Sequence, residues 1–486
     1  MITFLICLIA LVAAYFLYGA YLDRVCQIDE KATVPSAALY DGVDYIPMPR
    51  WRTFLIQLLN IAGVGPIFGA IMGACFGPVA FLWITLGGIF VGAMHDYVSG
   101  VILLRNDGLS LPEIVGRYLG SGMLQLMRVI SMVLLILVGV VFMRSPASIM
   151  MEMVPAVSYW WWIAIILFYY FIATMLPIDK LIGKVYPLFG AALIIMALGL
   201  LAVLLFGEYT IPDLTFATLR NFQPNAEAMP IVPTLFITIA CGAISGFHAT
   251  QSPLMARCMN NERESRVVFY GAMIAEGIVA MIWATAAIAY CGGPEGLNNA
   301  MTDVGTEING QIIRNAQAAD LVDLICRSWL GKVGAVIAIL GVVICPITSG
   351  DTAFRSLRLS IADMFSYDQK PIAKRLIVCL PIFAVAFLFC KVDFSTAWSY
   401  LGIANQTLAT LVMWTGAAYL IAKGKPHWMC SVPAAFLTFV CVSFILTAPI
   451  GFQLSPTVGY AVGIPVAIGL FVFCVLKGSK RGLSSL

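Results

Sequence analysis

The chain has 486 residues, of which 61% are hydrophobic and only 11% are charged, and its formal net charge is +3. Soluble proteins carry about 25% charged residues, so this composition, with a mean hydropathy of +0.94, excludes a soluble cytosolic enzyme. The 13 cysteines are odd in number and lack CxxC spacing, which fits neither a disulfide framework nor a zinc site. We therefore expect an all-α polytopic membrane protein.

The apolar runs, taken in chain order, predict about 13 transmembrane helices. A bilayer core about 30 Å thick needs about 20 apolar residues in a helix. The predicted spans are 2–22, 53–75, 79–104, 129–143, 159–176, 186–206, 231–256, 267–290, 333–354, 376–390, 396–422, 430–450 and 457–476. The first run has no Lys or Arg ahead of it and is followed by Arg24, the reverse of a signal peptide. We expect a retained helix whose N-terminus lies outside.

The basic residues set the predicted orientation. With an external N-terminus, 22 of the 28 Lys and Arg residues fall in inner segments, as the positive-inside rule requires. The C-terminus is then cytoplasmic. The longest outer segment, 291–332, is acidic and predicts a small external cap, whose role the sequence leaves open.

Two of the predicted spans are interrupted by helix-breaking residues. The second span contains Gly63, Gly65 and Pro66, and the seventh combines Gly, Pro and five polar side chains between 241 and 253. Proline removes a backbone donor and clashes with the preceding turn, and backbone groups freed at bilayer depth must face protein or a water-filled cavity. Two ordinary kinked helices with small-residue packing are the alternative interpretation.

The two broken helices are predicted to run in opposite directions, each near the start of a set of five helices. This arrangement indicates a five-plus-five inverted repeat, with 53–206 as the first unit and 231–422 as the second. The flanking parts are an extra N-terminal helix and cytoplasmic loop (1–52) and two C-terminal helices (423–486). Because unwound helices bind the substrate in such transporters, we expect substrate contacts from Gly63, Val64, Gly65, Pro66, Ser245, Gly246, Phe247, His248 and Gln251.

Ionisable residues inside the spans predict a site for a coupling ion. A charge at bilayer depth costs at least a few kcal/mol, so such residues usually face a cavity and act there. His95, Asp96 and Glu276 predict a proton-coupling site, since histidine titrates near neutral pH. The alternatives are a buried hydrogen-bonded pair that holds helices together and, for Glu276, a partner for a cation in the seventh span or a structural salt bridge.

A second group of polar residues lies towards the end of the ninth span. Thr348, Ser349 and Asp351 offer hard oxygen ligands that suit Na⁺, with the freed carbonyls of Gly63 and Val64 as further ligands. The alternative for Asp351 is the acidic start of a helix that dips into the cytosol near Arg355.

Five segments together resemble the carbon starvation protein CstA family over residues from about 1 to 425. These segments are Asp41–Pro47, Ile61–Gly69, Ser245–Pro253, Pro346–Phe354 and Ala404–Leu408. The resemblance implies a bacterial inner-membrane transporter of peptides or pyruvate that is induced when carbon is scarce. It also implies the leucine-transporter-like fold of the amino acid–polyamine–cation superfamily, and it favours H⁺ over Na⁺. The members that take up peptides or pyruvate are longer, so the chain resembles a truncated branch.

We expect a secondary transporter that imports small carboxylate-bearing nutrients, with an ion channel, a membrane enzyme and a membrane sensor as the alternatives. A channel favours repeated pore loops, and an enzyme needs a catalytic motif such as a GxSxG elbow or a Walker loop, which the sequence lacks. We expect no enzymatic activity, no cofactor apart from H⁺ or Na⁺, and no nucleic-acid partner. The expected partners are a small-molecule substrate and the lipid bilayer. The identity of the substrate and the formation of homo-oligomers stay open.

Overall fold

The computed structural model describes residues 1–42, 45–175, 178–365, 367, 369 and 371–484, with the backbone alone at 175, 178–188, 333–335, 337–340 and 478–484. Most of this chain is helical. The α-helices are α1 (Ile2–Cys26), α2 (Pro35–Ala38), α3 (Arg50–Ile61), α4 (Ala70–Ala74), α5 (Val79–Leu82), α6 (Ala93–Leu104), α7 (Leu111–Leu119), α8 (Ser121–Met153), α9 (Tyr159–Met175), α10 (Ile178–Phe206), α11 (Phe236–Thr238), α12 (Gly246–Ala256), α13 (Ala272–Tyr290), α14 (Pro294–Met301), α15 (Ala318–Met364), α16 (Ile372–Phe389), α17 (Phe394–Ala422), α18 (Trp428–Thr447) and α19 (Pro456–Ser484).

Short π-helical segments extend several of these helices, and one hairpin supplies the strands. The π-helical segments are Gly65–Gly69, Trp83–Gly92, Ile231–Leu235 and Arg266–Gly271, and a 3₁₀ turn covers Glu262–Glu264. Strands β1 (Thr306–Ile308) and β2 (Gln311–Ile313) pair antiparallel, with Thr306 opposite Ile313. The hairpin and α14 occupy the segment that the sequence predicts to be an external cap.

Every predicted span overlaps helix, with interruptions at the two breaks, and residue 176 of the fifth span lies outside the described residues. Length and apolarity alone do not qualify every one of these helices to cross a bilayer. Within the described residues, eight helices meet these two criteria, or nine if the bent pair Arg50–Ile61 and Gly65–Ala74 counts as one span. The predicted count of 13 transmembrane helices therefore stays a prediction, as do the division into 1–52, 53–422 and 423–486 and the inverted repeat.

Both predicted helix breaks are present. Between α3 and the segment that begins at Gly65 the direction changes by 57°. The second break covers 239–245, between α11 and α12, and it includes Gly242 with φ 91°. Only glycine adopts this left-handed conformation without strain. The second break therefore ends before Gly246, earlier than the predicted segment 241–253, because Pro253 lies inside α12 and does not interrupt it.

Hydrogen bonds group the loops at two ends of the molecule. At one end the Met1 amino group bonds Asp213 Oδ1 at 3.1 Å, and Arg220 pairs with Glu295. At the other end Arg105 pairs with Glu262. The first end contains segments predicted to be outer and the second contains segments predicted to be inner, so the alternation of the loops agrees with the predicted order of spans.

The ninth predicted span differs from the prediction at its C-terminal end. Helix α15 continues to Met364, so Asp351 lies well inside a helix and is fully buried. The alternative in which Asp351 begins a helix that dips into the cytosol is therefore wrong. Arg355, predicted to lie in an inner segment, is also buried, and its Nη2 donates to the Ala173 carbonyl at 2.6 Å.

Candidate functional site

The two helix breaks contact each other in the middle of the molecule. A Cβ atom added to Gly65 would overlap the side chain of Cys241, and one added to Gly242 would lie 3.3 Å from Pro66 Cα. Further along the first broken helix, a Cβ atom added to Gly69 would lie 3.1 Å from the Thr238 carbonyl oxygen. The first broken helix therefore contacts the second break over residues 65–69, and the opposite directions predicted for the two helices stay a prediction.

The amide of Asn405 on α17 holds the second break in place. Its Oδ1 accepts from the Phe247 backbone N–H at 2.8 Å and from the Ser245 hydroxyl at 3.1 Å. The next residue, Gln406, donates from its Nε2 to the Phe236 carbonyl at 2.6 Å. These two residues therefore satisfy backbone groups that the broken helix leaves without a helical partner. Sequence reasoning gave them no role in the site, although they lie in one of the segments that carry the family resemblance.

A continuous chain of ionisable side chains runs beside the second break. His95 Nδ1 lies 2.8 Å from Asp96 Oδ1, and Asp96 Oδ2 lies 2.8 Å from His248 Nδ1. The other ring nitrogen of His248 is 3.2 Å from Glu276 Oε2, which is an ion-pair distance without the geometry of a hydrogen bond. All four side chains are buried. The structure thus brings together the three residues predicted for proton coupling and adds His248, which the sequence predicts as a substrate contact, as the link between the two carboxylates.

The chain of ionisable groups reaches the backbone of the second break at one end. The Glu276 carboxylate lies next to the backbone N–H of Gly242, and Gly242 in turn packs on Pro66 of the first break. At the other end His95 Nε2 is buried, with no hydrogen-bond partner among the side chains that the structure describes. A rearrangement of either break would therefore change the surroundings of Glu276 directly.

Two buried amides on α3 stand out because they lack partners. Gln57 and Asn60 are essentially unexposed, and none of their four polar side-chain atoms has a hydrogen-bond partner within the described part of the chain. Leaving one such group unsatisfied costs about 1–3 kcal/mol. They lie one turn apart, just before the first break, on the side of α3 turned away from the Leu55–Leu59 face that packs on α10.

Gln251 on α12 also carries an unsatisfied group. Its Oε1 is buried and has no hydrogen-bond partner within the described residues. Its Nε2 donates to Thr250 Oγ1 at 2.9 Å. Phe247, one turn earlier, packs edge-to-face on Phe142 with ring centroids 6.0 Å apart. An added Cβ at Gly63 would overlap the same Phe142 ring. Gly63 of the first break and Phe247 of the second thus both contact Phe142.

The predicted sodium ligands are only partly brought together. The Ser349 hydroxyl donates to the Leu59 carbonyl at 2.9 Å, and the Cys345 thiol donates to the Ala62 carbonyl. The contact to the first break is therefore made, but through the carbonyls of Leu59 and Ala62 rather than through those of Gly63 and Val64. Thr348 Oγ1 donates to the Cys345 carbonyl within its own helix at 2.7 Å.

Asp351 faces a different neighbour. Residues two apart on a helix point to opposite sides, and Asp351 interacts electrostatically with Tyr169 and Tyr170 of α9. On a regular helix its side chain therefore projects from the side opposite to Ser349, and its part in the predicted ion site stays a prediction.

A cavity of about 220 Å³ lies at the end of α12 that faces the predicted inner loops. Thr250, next in sequence to Gln251, lines it together with Ser131 and Ser360. Arg257 and Asp363 also line it, and polar and charged groups of this kind suit a polar solute.

Comparison with known proteins gives a consistent family match. A family model described as "Carbon starvation protein CstA" matches residues 1–161, 129–320 and 293–444. A membrane protein from Haemophilus influenzae, described as uncharacterized, is 41% identical over 62% of this chain and 94% of its own length. The peptide transporter CstA of Bacillus subtilis is 27% identical, with 90% of this chain and 88% of that protein covered.

Two further similarities concern a proton symporter and a solved structure. The pyruvate/proton symporter BtsT of Escherichia coli is 26% identical over 56% of this chain and 47% of its own length. A manganese transporter from Eremococcus coleocola has a similar fold, with a TM-score of 0.55, 12% identity, and coverage of 91% of this chain and 99% of that one. With the apolar helices, these similarities indicate a multi-pass bacterial membrane protein whose relatives are transporters rather than enzymes.

Proposed function

Because this chain belongs to the carbon starvation protein CstA family, we propose that it is a secondary active transporter that imports small carboxylate-bearing nutrients during carbon starvation. The substrate class comprises pyruvate, short peptides and amino acids, in keeping with the names of its relatives. In this proposal the chain lies in the bacterial inner membrane with the N-terminus outside. About 13 helices contain a leucine-transporter-like inverted repeat that works by alternating access.

The observation that supports ion coupling best is the buried chain His95–Asp96–His248–Glu276. Buried charges are costly unless paired, so such groups persist in membrane proteins where they bind or relay ions. His248 contacts a carboxylate through each ring nitrogen, and imidazole can take a proton at one nitrogen and release it from the other. One proton gained or lost changes the net charge of this chain of groups.

Proton movement is linked to substrate access through the second break. Glu276 lies next to the Gly242 backbone, and that segment packs on the first break at Pro66. Opening one side of the molecule requires the breaks to move relative to the surrounding helices. Such movement separates or restores the Glu276 contact, so that protonation and access change together.

The substrate is held by the unsatisfied amides. Gln57, Asn60 and Gln251 offer buried donors and acceptors, and hydrogen bonds to a carboxylate are stronger than neutral ones. A carboxylate or a peptide group would satisfy them. The polar edges of the two breaks, with Phe247 as the apolar contact, complete the proposed binding site.

Sodium coupling is the second candidate, and the Ser349–Leu59 contact favours it. A hydroxyl on α15 and backbone carbonyls beside the first break are oxygen ligands of the kind that hard cations prefer. In this alternative Thr348 and Ser349 hold the ion, and Asp351, two positions from Ser349 on the same helix, is not required.

The test is uptake of labelled pyruvate, alanine and di-alanine by the purified chain in proteoliposomes. An inward H⁺ gradient should drive accumulation above the external concentration, and an inward Na⁺ gradient at equal pH should not. Equilibration without accumulation under either gradient would instead indicate a channel. Protein-free liposomes from the same lipid batch are the control for leakage.

A further inference from the structure

A large apolar cleft lies on the side of the molecule, away from the helix breaks. Its volume is about 530 Å³, within the range of small-molecule binding sites. Helix α17 forms its floor with Trp414 and Ala418, while Met123 of α8 and Phe473 of α19 line the walls. The indole N–H of Trp414 donates to Thr438 Oγ1 at 3.1 Å, so the ring needs no polar partner from an occupant of the cleft.

Two basic side chains mark one end of this cleft. Arg117, near the end of α7, and Lys477 of α19 both line it and are exposed. Lys477 Nζ lies 5.0 Å from the Phe473 ring centroid, and one guanidinium nitrogen of Arg117 donates to Asn106. Neither pairs with a carboxylate in the described parts of the chain, so both positive charges are available to an anion.

The basic end lies at a depth that suits a lipid headgroup. Lys477 directly follows the apolar run 457–476, and Ala422, the last residue of α17, lines the cleft at the same end. These are the points at which helices leave the hydrocarbon core. By the predicted orientation this end faces the cytoplasmic leaflet, where basic pockets between helices bind anionic headgroups.

We infer that this cleft binds one anionic glycerophospholipid, with its phosphate between Arg117 and Lys477 and an acyl chain along Trp414 and Ala418. The charge pattern decides the occupant, because an entirely apolar cleft would accept any acyl chain, whereas two cations at one end select a negative headgroup. The lipid joins α7 and α8 to α17 and α19. The site is separate from the proposed transport site and does not depend on it.

The test is native mass spectrometry of the full chain in detergent, titrated with phosphatidylglycerol or with phosphatidylcholine of the same acyl chains. The wild type should bind phosphatidylglycerol more tightly. The double variant Arg117→Gln/Lys477→Gln should lose about 30-fold in affinity for phosphatidylglycerol, corresponding to about 1 kcal/mol for each basic residue near the membrane surface. Its affinity for phosphatidylcholine should not change.

Two further variants make the outcome decisive. Ala418→Trp fills the floor of the cleft without changing charge and should weaken binding of both lipids. Lys391→Gln/Lys423→Gln removes the same total charge from residues that do not line the cleft, and it should bind like the wild type. Wild-type affinity for phosphatidylglycerol in the Arg117/Lys477 variant would overturn the inference. A dimer that Ala418→Trp disrupts, without saturable binding of either lipid, would also overturn it and assign the cleft to a second copy of the chain.

Discussion

Replacing Asp96 with Asn tests the proposed proton coupling most directly. The Asp96 carboxylate makes two 2.8 Å contacts, to His95 Nδ1 and to His248 Nδ1. Asparagine has the same shape, keeps one acceptor oxygen, and can donate from its amide to an imidazole nitrogen in the other tautomer. Both contacts can therefore persist, while the group that carries a proton is lost.

The cost to folding follows from these contacts. Hydrogen bonds to a charged group contribute about 1.5–3 kcal/mol and neutral ones about 0.5–1.5 kcal/mol, so exchanging two of them lowers the free energy of unfolding by about 2–3 kcal/mol. Asp96→Ala instead leaves two buried imidazoles without this partner and should cost about 3–5 kcal/mol. Thermal unfolding in detergent should thus rank the wild type above Asp96→Asn, and Asp96→Ala last.

The assay separates net transport from exchange. Asp96→Asn should no longer accumulate substrate on an inward H⁺ gradient, yet should still exchange internal for external substrate, because exchange moves no net proton. Glu295→Gln, which removes a carboxylate from an exposed pair with Arg220, is the matched control and should transport like the wild type. Gradient-driven accumulation by Asp96→Asn would refute the role of Asp96. Accumulation by the wild type with Na⁺ alone would favour the Thr348–Ser349 site.

The remaining predictions concern the helix breaks, the buried amides and the orientation. Gly65→Ala should abolish uptake, because the added Cβ atom overlaps the Cys241 side chain. The double variant Gly65→Ala/Cys241→Gly should transport again, and failure to do so would contradict the packing of the two breaks. Gln57→Met should leave thermal stability unchanged or raise it, because it removes unsatisfied buried groups, but should raise the KM for uptake at least tenfold; an unchanged KM would exclude a substrate contact. Thiol labelling from the outside of intact cells should fail at Glu30→Cys and succeed at Glu307→Cys, which are both exposed positions. The reverse pattern would mean that the orientation is inverted.

Much of the architecture could be predicted from local sequence features. Hydropathy located the helices, because the length and apolarity of a run decide whether a helix can lie in a bilayer. Gly63–Pro66 and the glycines near 242 predicted both breaks, since glycine and proline act on the backbone at their own positions. The sequence also predicted site residues at His95, Asp96 and Glu276, because ionisable groups are rare within apolar runs.

The neighbours of those residues are decided by the tertiary structure. Asp96 and His248 are 152 positions apart, and only the packing of α6, α12 and α13 places His248 between Asp96 and Glu276. The same holds for Asn405, whose amide supports a break 158 positions away, and for Asp351, which α15 directs towards α9. The hydropathy of a run predicts that its residues lie at bilayer depth, but the position and rotation of each helix against the others determine which polar group each residue meets.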